Sequence, residues 1–318
     1  MTAARLLIAL YGPTSSGKTV LSVELARRVE RETGRRVVIV SADSRQVYRY
    51  LDIGTSKTTV AQMGGIRHEM LDVAEPVRKF ELEDYARLAR RYLADAFDAG
   101  EIPFVVGGTG VYVRALLEGW AVDRTGAART ALQRDFPRAM AADAHAMLRR
   151  LDRAAAVQVH PNNYVGVINA LAARMAGESG VPAGFATVLC GLDPGVGTVD
   201  RRVAQTYDDQ VARGLSEEIV GLDERYDLDG ELRRRGRDSA NQVLHTHGYR
   251  EWFDVARERG RTVAQLTAAD LAEVRERVVG HIRGYTRRQR GWLRKLPEVR
   301  AVSSADQAWA LVRRQIPG

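Results

Sequence analysis

Apolar runs and amphipathic segments alternate over the first part of the chain. Three continuous apolar runs lie at residues 5–11, 36–41 and 102–108. Uninterrupted runs of this length are typical of strands buried on both faces of a sheet. Residues 19–32 and 80–99 instead carry apolar side chains at helical spacing. Strands joined by right-handed helical crossovers predict an α/β fold, with a parallel sheet flanked by helices.

The pattern changes after the third run. Residues 123–182 are rich in Ala and Arg and have helical spacing with few strand signals, so we predict a helical insertion there. Residues 181–194 return to strand character and are expected to rejoin the sheet, and residues 199–315 are mostly helical in pattern. The predicted organisation is a core of residues 1–122 and 183–318, interrupted by the insertion.

Composition excludes several classes of protein. With 45% hydrophobic and 28% charged residues, the 318-residue chain has the balance of an ordinary soluble globular protein. Its single cysteine, Cys190, allows neither an intramolecular disulfide nor a cysteine metal cluster. No stretch approaches the roughly 20 apolar residues of a membrane span, and the first apolar run is too short for a signal peptide. We expect a cytoplasmic monomer without membrane association.

The charge balance allows two interpretations. A net charge of +8 attracts polyanions such as nucleic acid, but an arginine-rich genome would also decorate solvated faces in this way. Eight basic residues cluster within residues 275–295, interleaved with Tyr285 and Trp292. Phosphate contacts combined with aromatic stacking are typical of proteins that bind single-stranded RNA loops. The alternative is a solvated helix with a tryptophan in the core.

A glycine-rich motif between the first apolar run and the first helix predicts a phosphate site. It reads Gly12-Pro13-Thr14-Ser15-Ser16-Gly17-Lys18-Thr19 and matches G-x-x-x-x-G-K-[ST]. Its glycines let backbone N–H groups surround a phosphate, and the helix N-terminus adds partial positive charge. Lys18 can reach the outer phosphate and Thr19 can ligate Mg²⁺. The motif predicts a diphosphate or triphosphate site but leaves a kinase, an NTPase and a transferase open.

Asp43 is the only carboxylate expected at the end of a buried strand, since it follows the second apolar run. Ligands of open α/β sheets bind at such carboxyl ends. Asp43 could therefore hold a Mg²⁺-bound water or act as a general base; the alternative is a turn cap. The third run ends in Gly107-Gly108-Thr109, where an NTPase would often place its own carboxylate.

Longer sequence blocks define the chain more closely than the phosphate loop does. Four of them are GPTSSGKT, SADSRQVYRYLDIGTSK (41–57), IRHEMLDVAEP (66–76) and VGGTGVYVRALLEG (106–119). Together they closely resemble the tRNA dimethylallyltransferases, in that family's order and spacing. The resemblance continues more weakly through HPNN (160–163), ARGLSEEI (212–219), HGYREW (247–252) and RRQRGWLRK (287–295). It covers nearly the whole chain, and its first four blocks are highly specific.

The resemblance implies a nucleotide-kinase-like core that performs prenyl transfer. In that family the phosphate loop holds the diphosphate of dimethylallyl diphosphate, and the acceptor is the N6 amine of the adenosine beside the tRNA anticodon. The implied partners are dimethylallyl diphosphate and a tRNA anticodon stem-loop, which the helical insertion would help to bind. Mg²⁺ is the one cofactor implied, because His245 and His247 are too few for a further metal site.

Carried over by position, the resemblance also implies roles for single residues. Lys18 and Thr19 would bind diphosphate and Mg²⁺ together with the rest of the phosphate loop. Asp43 would accept a proton from N6, Thr109 would contact the diphosphate or the bridging oxygen, and Arg114 would neutralise leaving-group charge. The acceptor pocket would be lined in part by Ser44, Arg45 and Gln46.

Two departures from the family pattern concern cations. Arg202 keeps the first arginine of a usual R-[IV]-x-x-R segment, but Thr206 replaces the second. In the insertion, Gly166 and Asn169 stand where arginine is usual. Each lost charge-assisted contact to a diphosphate would weaken binding by about 1–3 kcal/mol. Either Arg202 or its neighbour Arg201 could compensate; otherwise the chain is a diverged paralogue.

Three alternatives stay open at the level of sequence. A prenyltransferase acting on a free adenine nucleotide or another small aromatic amine would share the fold and donor site, although relatives that modify free adenine nucleotides usually lack the insertion. An ATP-dependent kinase would need a base pocket and usually an arginine-bearing lid, and the SADSRQVY block argues against it. A non-catalytic RNA-binding protein is disfavoured by the intact Lys18, Thr19, Asp43 and Thr109.

Overall fold

A six-stranded parallel sheet forms the centre of the molecule. The computed structural model describes residues 5–117, 127–175, 185–296 and 298–316. The strands are β1 (Arg5–Tyr11), β2 (Val37–Ser41), β3 (Arg67–Glu69), β4 (Ile102–Gly107), β5 (Phe185–Leu192) and β6 (Arg300–Val302). Their order is β3-β2-β4-β1-β5-β6, and every neighbouring pair is parallel. The predicted α/β fold with a parallel sheet is confirmed.

Helices connect the strands and cover the sheet. The first group is α1 (Lys18–Thr33), α2 (Val60–Met63), α3 (Leu82–Asp98), α4 (Gly110–Leu117), α5 (Ala127–Asp135), α6 (Ala141–Leu151) and α7 (Arg153–Gln158). The second group is α8 (Tyr164–Met175), α9 (Val196–Ala212), α10 (Leu215–Tyr226), α11 (Leu228–Arg235), α12 (Arg250–Glu258), α13 (Ala268–Leu293) and α14 (Ala305–Val312). None of the helices in the described ranges has the length and apolarity that a membrane crossing requires.

The edge strands β3 and β6 are not foreseen by the hydrophobic pattern. Each has only three residues, and β3 reads Arg-His-Glu. Each pairs with one neighbour only, β3 with β2 and β6 with β5. A strand of that length at a sheet edge buries too little apolar surface to leave a periodic signal. Residues 199–315 are otherwise helical, as predicted.

Alternate residues of the central strand β1 enter separate apolar layers on the two faces of the sheet. Leu7 and Tyr11 belong to the larger layer, which α3, α4, α9, α12 and α13 complete. Leu6 and Ile8 belong to the other layer, which α1 and α14 cover. Side chains of a strand alternate in direction, so a strand that is continuously apolar requires helices on both faces. This is why the first apolar run of the sequence is found at the centre of the sheet.

The helices α5 to α8 pack around a small core of their own. Its members are Leu132, Ala144, Leu148, Ala156, Val167, Ile168, Leu171 and Ala172. The prediction of a helical segment is confirmed for residues 127–175, whereas its predicted ends, at 122/123 and 182/183, lie outside the described residues. On α8, Asn169 is exposed and Gly166 half-buried, so the two missing arginines would have belonged to the surface of this unit.

We predict that Phe104→Ala destabilises the fold by about 3–5 kcal/mol, because it leaves a cavity in the centre of the sheet. Phe104 is 0% exposed and lies in the middle of β4. Urea unfolding followed by circular dichroism measures the effect. Val60→Ala is the control, since Val60 is 84% exposed and should change the free energy of unfolding by less than about 0.5 kcal/mol. Equal effects of the two changes would contradict the assignment of the core.

Candidate active site

The loops that follow β1, β2 and β4 meet at the carboxyl edge of the sheet and hydrogen-bond to one another. Gly12 N–H donates to Gly107 O over 3.3 Å, and Ala42 N–H donates to Val106 O over 2.8 Å. Thr109 N–H donates back to Ala42 O over 3.1 Å. Parallel strands end at the same edge, where open α/β sheets bind their ligands. The three segments singled out by the sequence therefore lie side by side.

The phosphate loop has the geometry of an anion site. Ser15 and Gly17 have φ angles of 60° and 93°, left-handed values of the kind that turn successive N–H groups inward. No side chain caps α1 and its first turn contains no acidic residue, so nothing there neutralises the positive end of the helix dipole. Ser16 Oγ is buried without a hydrogen-bond partner among the described residues. A bound diphosphate would supply the missing partner.

Lys18 and Asp43 interact electrostatically across this loop. Burial lowers the pKa of the Lys18 ammonium, and the negative charge of Asp43 raises it in part. Lys18 Nζ donates to Pro13 O over 3.1 Å, which leaves two of its three protons for a ligand. A poorly solvated cation gains strongly from a phosphate oxygen. Thr19 follows in the same helical turn, and its hydroxyl and the Asp43 carboxylate are oxygen donors of the type that Mg²⁺ prefers.

Asp43 caps the turn that follows β2 with one of its two oxygens. Oδ1 accepts from Arg45 N–H over 2.8 Å and from Gln46 N–H over 3.3 Å. Oδ2 has no hydrogen-bond partner among the residues that the structure describes. The turn-cap interpretation and the general-base interpretation are therefore compatible, because each uses a different oxygen.

Thr109 links the Asp43 loop to α13. Its Oγ1 accepts from Ser44 N–H over 3.0 Å, and its side chain lies close enough to the Tyr285 hydroxyl to influence the pKa of that group. Burial raises the pKa of Tyr285, and the nearby charge of Asp43 raises it further. Tyr285 is therefore a neutral hydroxyl beside the carboxylate. Sequence analysis placed it only in a basic RNA-binding segment, since nothing local shows that it reaches the sheet edge.

The other predicted acceptor residues have partners within the protein. Gln46 Nε2 donates to Thr55 O and Ser56 O over 3.3 and 3.2 Å, and Arg45 Nη1 donates to Gln242 Oε1 over 3.4 Å. These contacts shape the surrounding loops. Arg114 lies half-buried on α4, the helix that begins directly after Thr109.

Gln289 is a site residue that sequence analysis did not identify. Its Oε1 accepts from Thr14 N–H over 2.9 Å, and its Nε2 donates to Gly108 O over 2.8 Å. Its backbone carbonyl accepts from Tyr11 O–H over 2.7 Å. Thr14 therefore uses its N–H to anchor the phosphate loop to α13. The only sequence signal was the RRQRGW block, whose meaning depends on a contact between residues 275 positions apart.

The segment 48–57 is held by charged side chains. The buried Lys57 places Nζ 2.5 Å from Asp52, 2.6 Å from Asp72 and 2.8 Å from Tyr48 O. Glu218 lies opposite, and its carboxylate accepts the N–H groups of residues 52–54 and the hydroxyl of a buried tyrosine. The ARGLSEEI block and the SADSRQVYRYLDIGTSK block are thus one structural unit, which explains why the two occur together in the sequence.

The departure at Thr206 lies directly at the phosphate loop. Thr206 Oγ1 is 3.3 Å from Ser15 Oγ, so a neutral hydroxyl contact stands where a second cation was expected. Arg202 Nη1 donates to Ser16 O over 3.0 Å, whereas Arg201 makes no such contact. An open cleft of about 670 Å³ beside the loop is lined in part by Ser15, Ser16, Arg202 and Thr206. Of the two arginines that could compensate for the missing cation, Arg202 is therefore the one that contacts the phosphate loop.

Ion pairs neutralise much of the basic segment 275–295. Arg275 pairs with Asp208 at 2.6 Å, Arg277 with Glu258 at 2.6 Å and Arg290 with Asp193 at 2.8 Å. Two further cations lie over aromatic rings, Arg288 over Tyr285 and Lys295 over Trp292. The segment is thus less positive than its composition suggests.

Asp193 corrects the expectation that Asp43 would be the only carboxylate at the end of a buried strand. Asp193 directly follows β5, where its carboxylate accepts from Arg290 Nε over 2.9 and 2.8 Å. The pattern of apolar residues could not show which of the two carboxylates has a cationic partner.

A parallel sheet with a glycine-rich anion loop at its carboxyl edge defines a phosphate-binding α/β enzyme core. A model of the IPP transferase family matches residues 46–296. The tRNA dimethylallyltransferases of Koribacter versatilis and Roseiflexus sp. are each 34% identical to the chain, over 96% and 98% of its length and 95% and 98% of theirs. The chain belongs to this family, that of the tRNA dimethylallyltransferases, and is a prenyltransferase.

Solved structures agree with this assignment. The full-length tRNA isopentenylpyrophosphate transferase from Bacillus halodurans has a TM-score of 0.66 and 28% identity, over 98% of this chain and 97% of its own. A eukaryotic dimethylallyltransferase acting on tRNA has a TM-score of 0.68 at 21% identity, covering 98% of this chain and 77% of its own, and shares the fold.

We predict that Gln289→Leu lowers kcat/KM for prenyl transfer by about 10- to 100-fold, because the half-buried Thr14 N–H and the buried Gly108 O would lose hydrogen bonds that contribute about 0.5–1.5 kcal/mol each. Steady-state kinetics at varied prenyl donor measures the loss. Gln315→Leu is the matched control, since Gln315 is exposed near the end of the chain. An unchanged kcat/KM in Gln289→Leu would show that the anchoring contact is not needed.

Proposed function

We propose that the enzyme transfers the dimethylallyl group of dimethylallyl diphosphate to the N6 amine of the adenosine next to the tRNA anticodon, releasing diphosphate. The observation that carries the proposal is the pairing of an open anion loop with a carboxylate that has one unengaged oxygen. Lys18 and Asp43 provide these two functions at the same edge of the sheet. The similarity to tRNA dimethylallyltransferases over nearly the whole chain supports the same substrates.

The donor diphosphate would bind at the N-terminus of α1. Lys18 and the hydroxyl of Ser16 would contact its oxygens, and Arg114 and Arg202 would add positive charge around the leaving group. Mg²⁺, held through the Thr19 hydroxyl, would further neutralise the charge that develops as diphosphate leaves. An adenine amine is a poor nucleophile, so the allylic C–O bond must weaken before attack. The cations of this loop make that possible.

The acceptor amine would approach from the side of Asp43. As the C–O bond breaks and the C–N bond forms, Oδ2 of Asp43 accepts the proton that N6 loses. Tyr285, neutral because of burial, orients the Thr109 hydroxyl toward the reacting groups. Water must be excluded because it would capture the allylic cation, and the adenine must leave its stack in the anticodon loop to reach the carboxylate.

The helices α5 to α8, which pack around a core of their own, are the proposed tRNA-binding unit, as the resemblance to the family implies. Arg288 and Lys295 stay outside ion pairs in the described part of the chain, and they would contact phosphates near the site. We further propose that the enzyme acts as a monomer in the cytoplasm.

We predict that Asp43→Asn lowers kcat for transfer by about 10²- to 10⁴-fold, the usual contribution of a general base. Asparagine keeps the oxygen that caps the Arg45 and Gln46 N–H groups, so the turn should survive. Lys18→Ala should lower kcat/KM by about 10- to 100-fold through lost charge-assisted contacts. The assay measures radiolabel transferred from dimethylallyl diphosphate with Mg²⁺ to bulk tRNA and, in parallel, to AMP. Lys79→Ala, at an exposed lysine, is the control.

Each outcome of this assay has a defined meaning. Label in tRNA that depends on Asp43 and Lys18 supports the proposal. Label in AMP alone would move the protein to the class that modifies free adenine nucleotides. Label in neither acceptor would contradict the proposed reaction.

We predict that Arg202 compensates for the cation missing at Thr206. Arg202→Ala should weaken diphosphate binding by about 10-fold, since one charge-assisted contact contributes about 1.5–3 kcal/mol. Arg201→Ala should change it by less than about twofold, because Arg201 makes no contact with the loop. Calorimetric titration with diphosphate and Mg²⁺ compares the two variants. Equal weakening by both would assign the effect to overall charge.

A further inference from the structure

Three potential metal ligands lie close together where the start of α12 meets the middle of α13. Glu251 lies in the first turn of α12, His247 lies in the turn that precedes this helix, and His281 faces them from the middle of α13. The ligand atoms of the three side chains lie within 4.8 Å of one another. The sequence alone gave no reason to join them, because 30 residues separate Glu251 from His281.

The two imidazoles converge on the same carboxylate oxygen. Oε1 of Glu251 is 3.1 Å from Nδ1 of His247 and 2.7 Å from Nδ1 of His281. The other oxygen accepts Gly248 N–H over 2.8 Å, which fixes the orientation of the carboxylate. Glu251 is 0% exposed.

The cluster has the donor set of a metal site. Two imidazoles and one carboxylate form a common ligand set for Zn²⁺, which binds such atoms at about 2.0–2.2 Å. The N···O separations of 3.1 and 2.7 Å are those of hydrogen bonds, so an entering ion would replace the ring protons and move the three side chains slightly apart. The histidine side chains are 29% and 44% exposed, so an ion can enter and keep a water ligand. The Gly248 N–H bond to the second carboxylate oxygen is the type of outer contact that orients metal ligands. By contrast, the imidazole of the nearby His245 hydrogen-bonds through Nε2 to Ser239 O over 2.7 Å and does not belong to this cluster.

We propose that His247, Glu251 and His281 bind a divalent transition-metal ion of the zinc type, which fastens the start of α12 to the middle of α13. The proposal does not depend on the prenyl-transfer reaction.

A bound ion would affect the active site by fixing the position of α13. Tyr285 and Gln289 follow His281 on α13 by about 6 and 12 Å, at 1.5 Å per residue, and both contact the loops of the sheet edge. A bound ion would hold this helix in register with the phosphate loop.

Metal binding by the full-length protein tests the proposal. Chelator-treated, desalted protein is titrated with Zn²⁺ by calorimetry in the absence of diphosphate, and with Co²⁺ by visible absorption, which reports ligation by nitrogen and oxygen donors. We expect one equivalent per chain with a micromolar or lower Kd, and a rise in the thermal unfolding midpoint. Thr19→Ala should bind equally well, which would separate this site from the proposed Mg²⁺ site.

Matched variants assign the ligands. His247→Asn and His281→Asn keep a hydrogen-bond donor near Glu251, and each should weaken Zn²⁺ binding by more than about 100-fold, beyond the usual loss from an outer-shell change. His160→Asn, at an exposed histidine in the insertion, should bind normally. No stoichiometric binding by the unaltered protein, or unchanged binding in both variants, would overturn the proposal. If a variant fails to fold, the Co²⁺ spectrum of the unaltered protein decides, because an octahedral all-water spectrum rules the site out.

Discussion

The hydrogen bonds of Gln289 are the constraint on which the active site depends. One side chain from the C-terminal half of the molecule holds the phosphate loop through Thr14 and the strand-end loop through Gly108. The Gly108 carbonyl is buried in this contact and the Thr14 N–H is partly buried, and an unpaired buried backbone group costs about as much as a lost hydrogen bond. The catalytic edge of the sheet is therefore closed by α13, which explains why the similarity to the family extends almost to the end of the chain.

Charge is distributed between a few functional groups and many structural pairs. Lys18 loses solvation through burial and keeps protons for an anion, whereas the buried Lys57 is paired with two carboxylates. Most arginines of α13 likewise have acidic partners. A net charge of +8 therefore overstates the surface available to RNA. Partly exposed pairs of this kind add little net stability, but they fix the shape of the loops around the site.

The departures from the family pattern have different consequences. At Thr206 the neutral contact to Ser15 keeps the phosphate loop packed, and Arg202 brings one cation to the same loop. At Gly166 and Asn169 the change affects the exposed side of a helix in the separate insertion. The first departure concerns the donor diphosphate and the second concerns the surface proposed to meet tRNA, so their effects should be separable by experiment.

Local sequence determined the parallel α/β core and the phosphate loop, because apolar periodicity and a contiguous glycine motif depend on neighbouring residues only. It also placed Asp43 directly after a buried strand, at the edge of the sheet where ligands of such folds bind. Tertiary structure alone decided which oxygen of Asp43 stays unengaged and which carboxylate Arg290 neutralises. It also decided that Gln289 reaches the phosphate loop and that His281 meets His247. These contacts join residues tens to hundreds of positions apart, and such pairings leave no periodic signal in one sequence.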